Sequence, residues 1–470
     1  MSTTLDDRRI AEWLFLLAFF TAAYFYAGAG WNQNAAFDLT RAVVERHSFA
    51  IDAYAGNTGD VSYANGHVYA NKAPALSFLA AVPYLLVHAF GVTSLALAGY
   101  LCTLFTCGIF FALIPAVLYR VARDRGIDPL WSAAVALIVA FATELLPYST
   151  LLMVAVPSGS LMLIALTSRR SWLAGFAVAL AAGMNYLCAP AAVIIALARG
   201  RRSAASFIAG ALAPLLGLAW YQYVCFGGFF TNAVAKTDPR FLHGGALFGP
   251  PTLASFFGIT ISPYRGLFFF APVLLFAVVR LFREPAALAV SLIFFGFNLC
   301  FINWEAGFAL GARYLVPLIP LLGLALMNAR WRKLLVAVAI LSFAINFAAT
   351  AVDPQPSGTI PRPLTQYILP LLVRGHFSPD VPITAPWSAT TFTGHTSVNR
   401  LAHDEAVVFQ RHPPGSLESE WSSFNLGELL FGAGDARSLI PFAAVFLAAI
   451  GAILGKARRL TRASAAQSPH

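Results

Sequence analysis

The sequence predicts an all-α polytopic membrane protein of about 12 transmembrane helices, and three observations carry that expectation. Hydrophobic residues make up 59% of the 470 and charged residues only 11%, where a soluble domain carries roughly a quarter charged. Mean hydropathy is +0.70. Apolar runs of about 18 residues recur along the whole chain. Together these exclude a soluble multidomain enzyme and a disordered chain. The net charge of +10 then reads as cations held in cytoplasmic loops, not as a nucleic-acid surface.

The first apolar stretch, 10–28, is too long for the core of a signal peptide and reads as a retained span. Further spans are expected near 93–119, 130–147, 150–167, 172–186, 187–198, 204–226, 264–280, 285–303, 314–329, 334–351 and 438–455. The pair within 172–198 is short enough to be a tight helical hairpin. The segment 75–90 is about 16 residues long and contains Pro83 and His88. It reads as a helix dipping into or lying along the outer interface.

Charge orients this arrangement. Arg8 and Arg9, then Arg120, Arg123 and Arg125, Arg169 and Arg170, Arg199, Arg201 and Arg202, Arg280 and Arg283, and Arg330, Arg332 and Lys333 fall on alternate loops. Lys456, Arg458, Arg459 and Arg462 follow the last span. The positive-inside rule places all of them in the cytoplasm, with both termini, in a plasma (inner) membrane. The chain divides into a transmembrane domain, 1–351, with a first outer loop at 30–74; an outer segment, 352–437; and a last helix with a cytoplasmic tail, 438–470. The outer segment is Pro-rich at first and then alternates polar and apolar residues, with a strand expected near 405–410. A third outer stretch, 227–263, carries Gly-Gly and Pro-Pro breaks and reads as a mobile loop, a candidate lid.

Chemistry is expected outside, because the cytoplasmic loops are short and basic. Asp38 and Arg41 lie three apart on a stretch of helical character, 35–47, within reach of an ion pair. Asp38 is the candidate general base, since a carboxylate in a partly dry cleft can take a proton from a nucleophile. Asn65-Gly66 is a turn dipeptide. Lys72, in Lys72-Ala73-Pro74, stands at the entrance of the interfacial segment, where a lysine holds a lipid phosphate as a point charge.

This order of features resembles the GT-C membrane glycosyltransferases. It is most similar to the polyprenyl-phosphate-sugar enzymes, such as the aminoarabinose transferases of lipid A and the protein O-mannosyltransferases. Asp38-Leu39-Thr40-Arg41-Ala42 matches the acid and the arginine of their D-E-x-R-Y motif. Lys72-Ala73-Pro74 matches the lysine of K-P-P, and the Asn-Gly turn precedes it. Leu39 and Ala73 depart from the second acid and the first proline. The resemblance implies a GT-C fold with an extracytoplasmic active site, and inverting sugar transfer from a polyprenyl-phosphate-linked donor. The acceptor is an undetermined glycan, lipid or protein. It implies Asp38 as the base and Lys72 on the donor phosphate. No cofactor is indicated, and a divalent metal is neither required nor excluded.

Charges at the outer ends of spans are few, and charge near membrane depth is costly enough to mark a site. Arg265 and Arg313 each precede a span, and a guanidinium fork there suits a phosphate. Glu144, Asp60 and Glu305 are candidates for an acceptor-side or second acid. Cys102, Cys107, Cys188, Cys225 and Cys300 lack metal-ligand spacing. So do His67, His243, His376, His395, His403 and His412, which read as solvated. One rival reading is a lipid or sugar flippase or transporter, which favours broken, charged helices at the bilayer centre. The other is a non-catalytic envelope assembly protein.

Overall fold

The structure is a computed structural model, and it describes residues 5–28, 30–237, 246–375, 423–432 and 434–466. It is predominantly helical. The elements in chain order are α1 (Leu5–Tyr24), β1 (Phe25–Ala27), α2 (Trp31–Arg46), β2 (Val61–Ala64), β3 (His67–Ala70), α3 (Ala75–Ala89), α4 (Leu95–Thr103) and α5 (Ile109–Asp124). Next come α6 (Pro129–Phe141), α7 (Leu145–Tyr148), α8 (Ala155–Thr167), α9 (Ser171–Met184), α10 (Cys188–Arg199), α11 (Ala204–Phe226) and α12 (Leu253–Thr260). The rest are α13 (Leu267–Phe270), α14 (Leu275–Val278), α15 (Pro285–Cys300), α16 (Ile319–Leu326), α17 (Arg332–Val352), α18 (Leu369–Val373), β4 (Ser423–Asn425) and two helices after it, the last being Ile440–Ala466.

Among the described residues, four helices are long and apolar enough to cross a membrane: Leu95–Asp124, Arg201–Phe226, Arg332–Val352 and Ala436–Ala465. Length and composition thus make the chain a multi-pass membrane protein. Shorter apolar helices of 10–17 residues accompany them. The expected hairpin within 172–198 is α9 and α10, 14 and 12 residues long, turning at Asn185. The segment 75–90 is a single 15-residue helix, α3, which carries Pro83 within it.

Several expected spans differ from what forms: 130–147 is interrupted between α6 and α7, and the span expected at 150–167 becomes helical only at Ala155. The first helix ends at Tyr24, because the next three residues pair as a strand with Ser423–Asn425. The stretch 264–280 is not one helix. It breaks at Ala271-Pro272 into α13, a 3-10 turn and α14, as expected where proline removes a backbone donor. The stretch 314–329 likewise opens as a 3-10 turn, Arg313–Leu318, before α16. The strand expected near 405–410 lies outside the described residues, as do His243, His376, His395, His403 and His412.

Close helix contact is made by small residues. Gly175 on α9 and Gly210 on α11 face each other across the interface. A Cβ on Gly175 would stand 1.9 Å from the Phe207 carbonyl oxygen, and one on Gly210 1.8 Å from that of Trp172. The two backbones approach here as small residues allow in membrane helix pairs. A second, aromatic seam joins α1, α17 and the last helix, where Phe442 stacks on Phe20, Phe347 and Phe446.

The loops assigned to the cytoplasm are gathered at one end and are joined by ion pairs. Arg123 meets Asp7 at 2.8 Å, Arg125 meets Glu284, Arg169 meets Asp124 at 3.0 Å, Arg332 meets Asp128 at 2.9 Å, and Lys456 meets Asp6 at 2.7 Å. The start of α1 and the last turns of the C-terminal helix therefore share that end. Contacts at the other end include β1 with β4, the Tyr24 hydroxyl on the Ser438 carbonyl, and the Ala27 amide on the Thr150 carbonyl.

Candidate functional site

Two short elements build the first half of the site. β2 and β3 form a hairpin whose tip is Asn65-Gly66, both at positive φ (53° and 79°). That is the turn chemistry an Asn-Gly pair supplies. The register pairs Ala64 with His67 and Val61 with Ala70. The next step down sets Asp60 beside Asn71, whose amide donates to the Asp60 carbonyl at 3.0 Å. Lys72 follows at once, and its Nζ lies 3.1 Å from Asp60 Oδ2. Both side chains are partly buried, Lys72 at 28% exposed and Asp60 at 14%. The Asn71 amide nitrogen, Nδ2, is 3.5 Å from Asp60 Oδ1 and 3.2 Å from the Thr237 hydroxyl. Thr237 also bridges to Ser62. Thr237, in the stretch expected to act as a lid, is therefore fastened to the hairpin beside this ion pair.

α2 carries Asp38. The helix packs on α3 through the Thr40 hydroxyl, 3.2 Å from the Ser77 carbonyl, and through a T-shaped contact of Phe37 with Tyr84. Asp38 lies on the buried side of α2 and is fully enclosed. It is not on an exposed face. Arg41 pairs one turn on, with Glu45 at 3.0 Å, and sits over the Tyr54 ring at 4.1 Å. Glu45 also accepts from the Tyr54 hydroxyl at 2.7 Å and from the Tyr84 hydroxyl. Burial pushes the Glu45 carboxyl up, but hydrogen bonds from Arg41, Tyr84 and Tyr54 outweigh it and hold it below its ordinary value. Sequence reasoning missed Glu45, although its i, i+4 spacing from Arg41 was there to be read.

The second half is the loop between α15 and α16. Arg265 is fully buried and donates through Nε to the Glu305 carbonyl at 3.0 Å, and through its two terminal nitrogens to the carbonyls of Ala309 and Gly307. Ala306, Gly307 and Gly311 in this loop all have positive φ. The fork of one guanidinium thus organises a run of carbonyls that no helix or strand pairs. The expectation of a phosphate ligand at Arg265 is met by a different placement, on backbone oxygens. Tyr148 supports the same loop, with its hydroxyl 2.8 Å from the Leu310 carbonyl. Glu144, fully buried, lies beneath Gly311. Glu305 has an exposed side chain, and among the described residues it makes no ion pair with Arg313.

Arg313 joins the halves. Its guanidinium lies over Tyr314, 5.2 Å from the ring centroid, and donates to the Tyr314 hydroxyl at 3.4 Å. It lies within electrostatic reach of Tyr148 and Asp60, and Arg265 lies within reach of Arg313. Asp60, which holds Lys72, and Tyr148, which holds the loop above Glu144, are thus both close enough to Arg313 to feel its charge. A separate small cleft opens beside the first turns of α2, lined by Tyr26, Ala27, Gln33, Asn34, Phe37, Thr103 and Leu152. The three cations do not line it.

No family model matches the chain, and no curated protein matches it. Among solved structures, the chain is similar to the crystal structure of ArnT from Cupriavidus metallidurans in the apo state. The two are 13% identical, the match covers 94% of this chain and 75% of that one, and the TM-score is 0.47.

Chemically, the neighbourhood offers a cation pair with one resident carboxylate, at the foot of a hairpin and the mouth of a helical bundle. A partly exposed lysine and a guanidinium suit a phosphate oxygen. Among the described residues, no group of His, Cys, Asp and Glu has a metal-binding arrangement.

Proposed function

We propose that the chain transfers a sugar from a polyprenyl-phosphate donor to an acceptor on the outer face of the membrane. The observation that carries this reading is the Lys72–Asp60 pair at the foot of one hairpin, with Arg313 from a distant stretch of sequence within electrostatic reach of Asp60, where a lipid phosphate needs cations. The Asp-x-x-Arg and Lys-x-Pro motifs support it in sequence. In this reading Lys72 and Arg313 hold the donor phosphate and stabilise it as a leaving group. Asp38 takes the proton of the acceptor hydroxyl, and the anomeric carbon inverts. Arg265 positions the loop that carries Arg313. Glu144, Asp60 and Glu305 remain the acceptor-side acids to test. The membrane is the plasma (inner) membrane, both termini are cytoplasmic, and the apolar helices hold the donor chain.

The test is mass spectrometry of envelope glycolipids and glycoproteins from cells with and without the gene, and with Asp38→Asn restored in its place. Loss of a sugar-sized mass on deletion is expected. The variant should fail to restore it, with turnover lower by on the order of a hundredfold. Unchanged glycans after deletion would overturn the reading, and full rescue by Asp38→Asn would remove the base.

A further inference from the structure

The Lys72–Asp60 contact has an implication beyond donor binding. Lys72 already holds a carboxylate at 3.1 Å, and that carboxylate also lies in the field of Arg313. An arriving phosphate oxygen therefore competes with this resident carboxylate for Lys72 Nζ.

The architecture supplies a place for the carboxylate once displaced. Asp60 is anchored through its backbone: its amide donates to the Thr58 hydroxyl at 3.1 Å, and its carbonyl accepts from Asn71. Its other carboxylate oxygen, Oδ1, is 3.5 Å from Asn71 Nδ2, which is itself 3.2 Å from the Thr237 hydroxyl. These groups offer the carboxylate hydrogen-bond partners other than Lys72.

We propose that Asp60 is a place-holding anion, and that a lipid phosphate binds by exchange, displacing the Asp60 carboxylate from Lys72 toward Asn71 and Thr237. The identity of the ligand rests on the sugar-transfer reading above. The exchange has a second consequence. A sugar phosphodiester carries one negative charge, whereas the lipid phosphomonoester left after transfer carries between one and two near neutral pH. The product is therefore the tighter anion for Lys72 and Arg313. The return of Asp60 competes with it and drives release. No bond is made or broken in the exchange itself, and the charge at Lys72 is balanced before and after it.

The experiment uses the full chain in detergent and undecaprenyl phosphate as the probe, with binding measured for wild type, Asp60→Asn, Asp60→Ser and Lys72→Ala. Asp60→Asn and Asp60→Ser should bind the probe roughly two- to fivefold more tightly than wild type, the factor for removing one competing ion pair. Their binding should also weaken more steeply with added salt, because no internal anion then replaces the lost one. In turnover, both variants should lower KM and kcat together, as slow product release requires. Should one variant fail to fold, as judged by its unfolding temperature, the other carries the comparison. Equal or weaker binding by the folded Asp60 variants, with Lys72→Ala still defective, would overturn the exchange and leave the donor site standing. Wild-type affinity in Lys72→Ala, or no binding by wild type, would overturn both.

Discussion

Gly311 lies directly over the carboxyl of Glu144: a Cβ at 311 would stand 2.9 Å from Oε1 and 3.3 Å from Cγ. Gly311 also has φ of +60°, a region that costs an alanine about 1 kcal/mol. Glu144 is fully buried and has little room to yield. Gly311→Ala should therefore displace the loop that ends at Arg313. The expected outcome is a lower unfolding temperature in detergent and a turnover at least tenfold below wild type. Gly311→Ala combined with Glu144→Ala should recover stability.

Arg265→Lys keeps the charge and loses the fork. Three carbonyls, at Glu305, Gly307 and Ala309, share one guanidinium, and an ammonium on a flexible stem cannot reach all three in that geometry. A loss of about 2 kcal/mol is expected, read as a fall in the midpoint of thermal unfolding. Undecaprenyl phosphate binding should weaken with it, because Arg313 follows in the same loop. Full stability in Arg265→Lys would show that the carbonyls find other partners.

Two acids, Asp353 and Glu45, should give opposite pH dependences. Burial pushes the Asp353 carboxyl up from 3.8 to about 6, against hydrogen bonds from the Gln355 amide and the Tyr367 hydroxyl that pull it down. Between those values the folded state holds more protons than the unfolded state, so stability falls as pH rises from about 4 to 6 and then levels off. Asp353→Asn should remove that slope and raise the unfolding temperature at pH 8. A larger loss in the variant at pH 8 than at pH 5 would contradict this.

Glu45 has the other sign. Its folded value lies below its ordinary 4.5, so its contribution is present above 4.5 and is lost as pH falls through the folded value. Hydrogen exchange at residues 31–46 and 75–89 should rise below that point, and Glu45→Gln should show the raised exchange already at neutral pH. Identical exchange in variant and wild type would rule out a clamp between α2 and α3.

The sidedness is open to labelling in a cysteine-free background. Asn65→Cys, at the hairpin tip, should react with an impermeant reagent from outside, and Arg462→Cys should not. The reverse pattern would put the whole neighbourhood of Lys72 in the cytoplasm.

The parts legible in the sequence were those fixed by short range and by strong chemistry. The α9–α10 hairpin and the limits of α11 and α17 follow from apolar length, with basic residues marking the starts of α11 and α17. The Lys72–Asp60 pair was also within reach: counting outward from Asn65-Gly66 sets 60 beside 71. Other features depend on distant residues. Nothing near Tyr24 signals the end of α1, because its cause is a strand about four hundred residues away. Arg265 reads as a phosphate ligand by its depth alone. Its role on the 305–309 carbonyls depends on where a loop of positive φ falls in space. Asp38 and Arg41 share spacing with an ion pair, yet Glu45 and Tyr54 take the arginine because Asp38 is turned inward.

The pairing of Phe25–Ala27 with Ser423–Asn425 sets an order in time. A ribosome delivers the first helix and α2 early, but the strand that fastens their junction emerges only after nearly all the rest of the chain. Leu426 donates to the Tyr24 carbonyl at 2.8 Å, and the Tyr24 hydroxyl reaches Ser438, so the clasp has several late members. Until they arrive, α2 rests on early parts of the chain such as α3 and β3 without this clasp, and long-range closure of this kind is slow. A nascent chain therefore passes through most of its synthesis without a finished site, and a chain cut short before residue 423 never acquires the fastening.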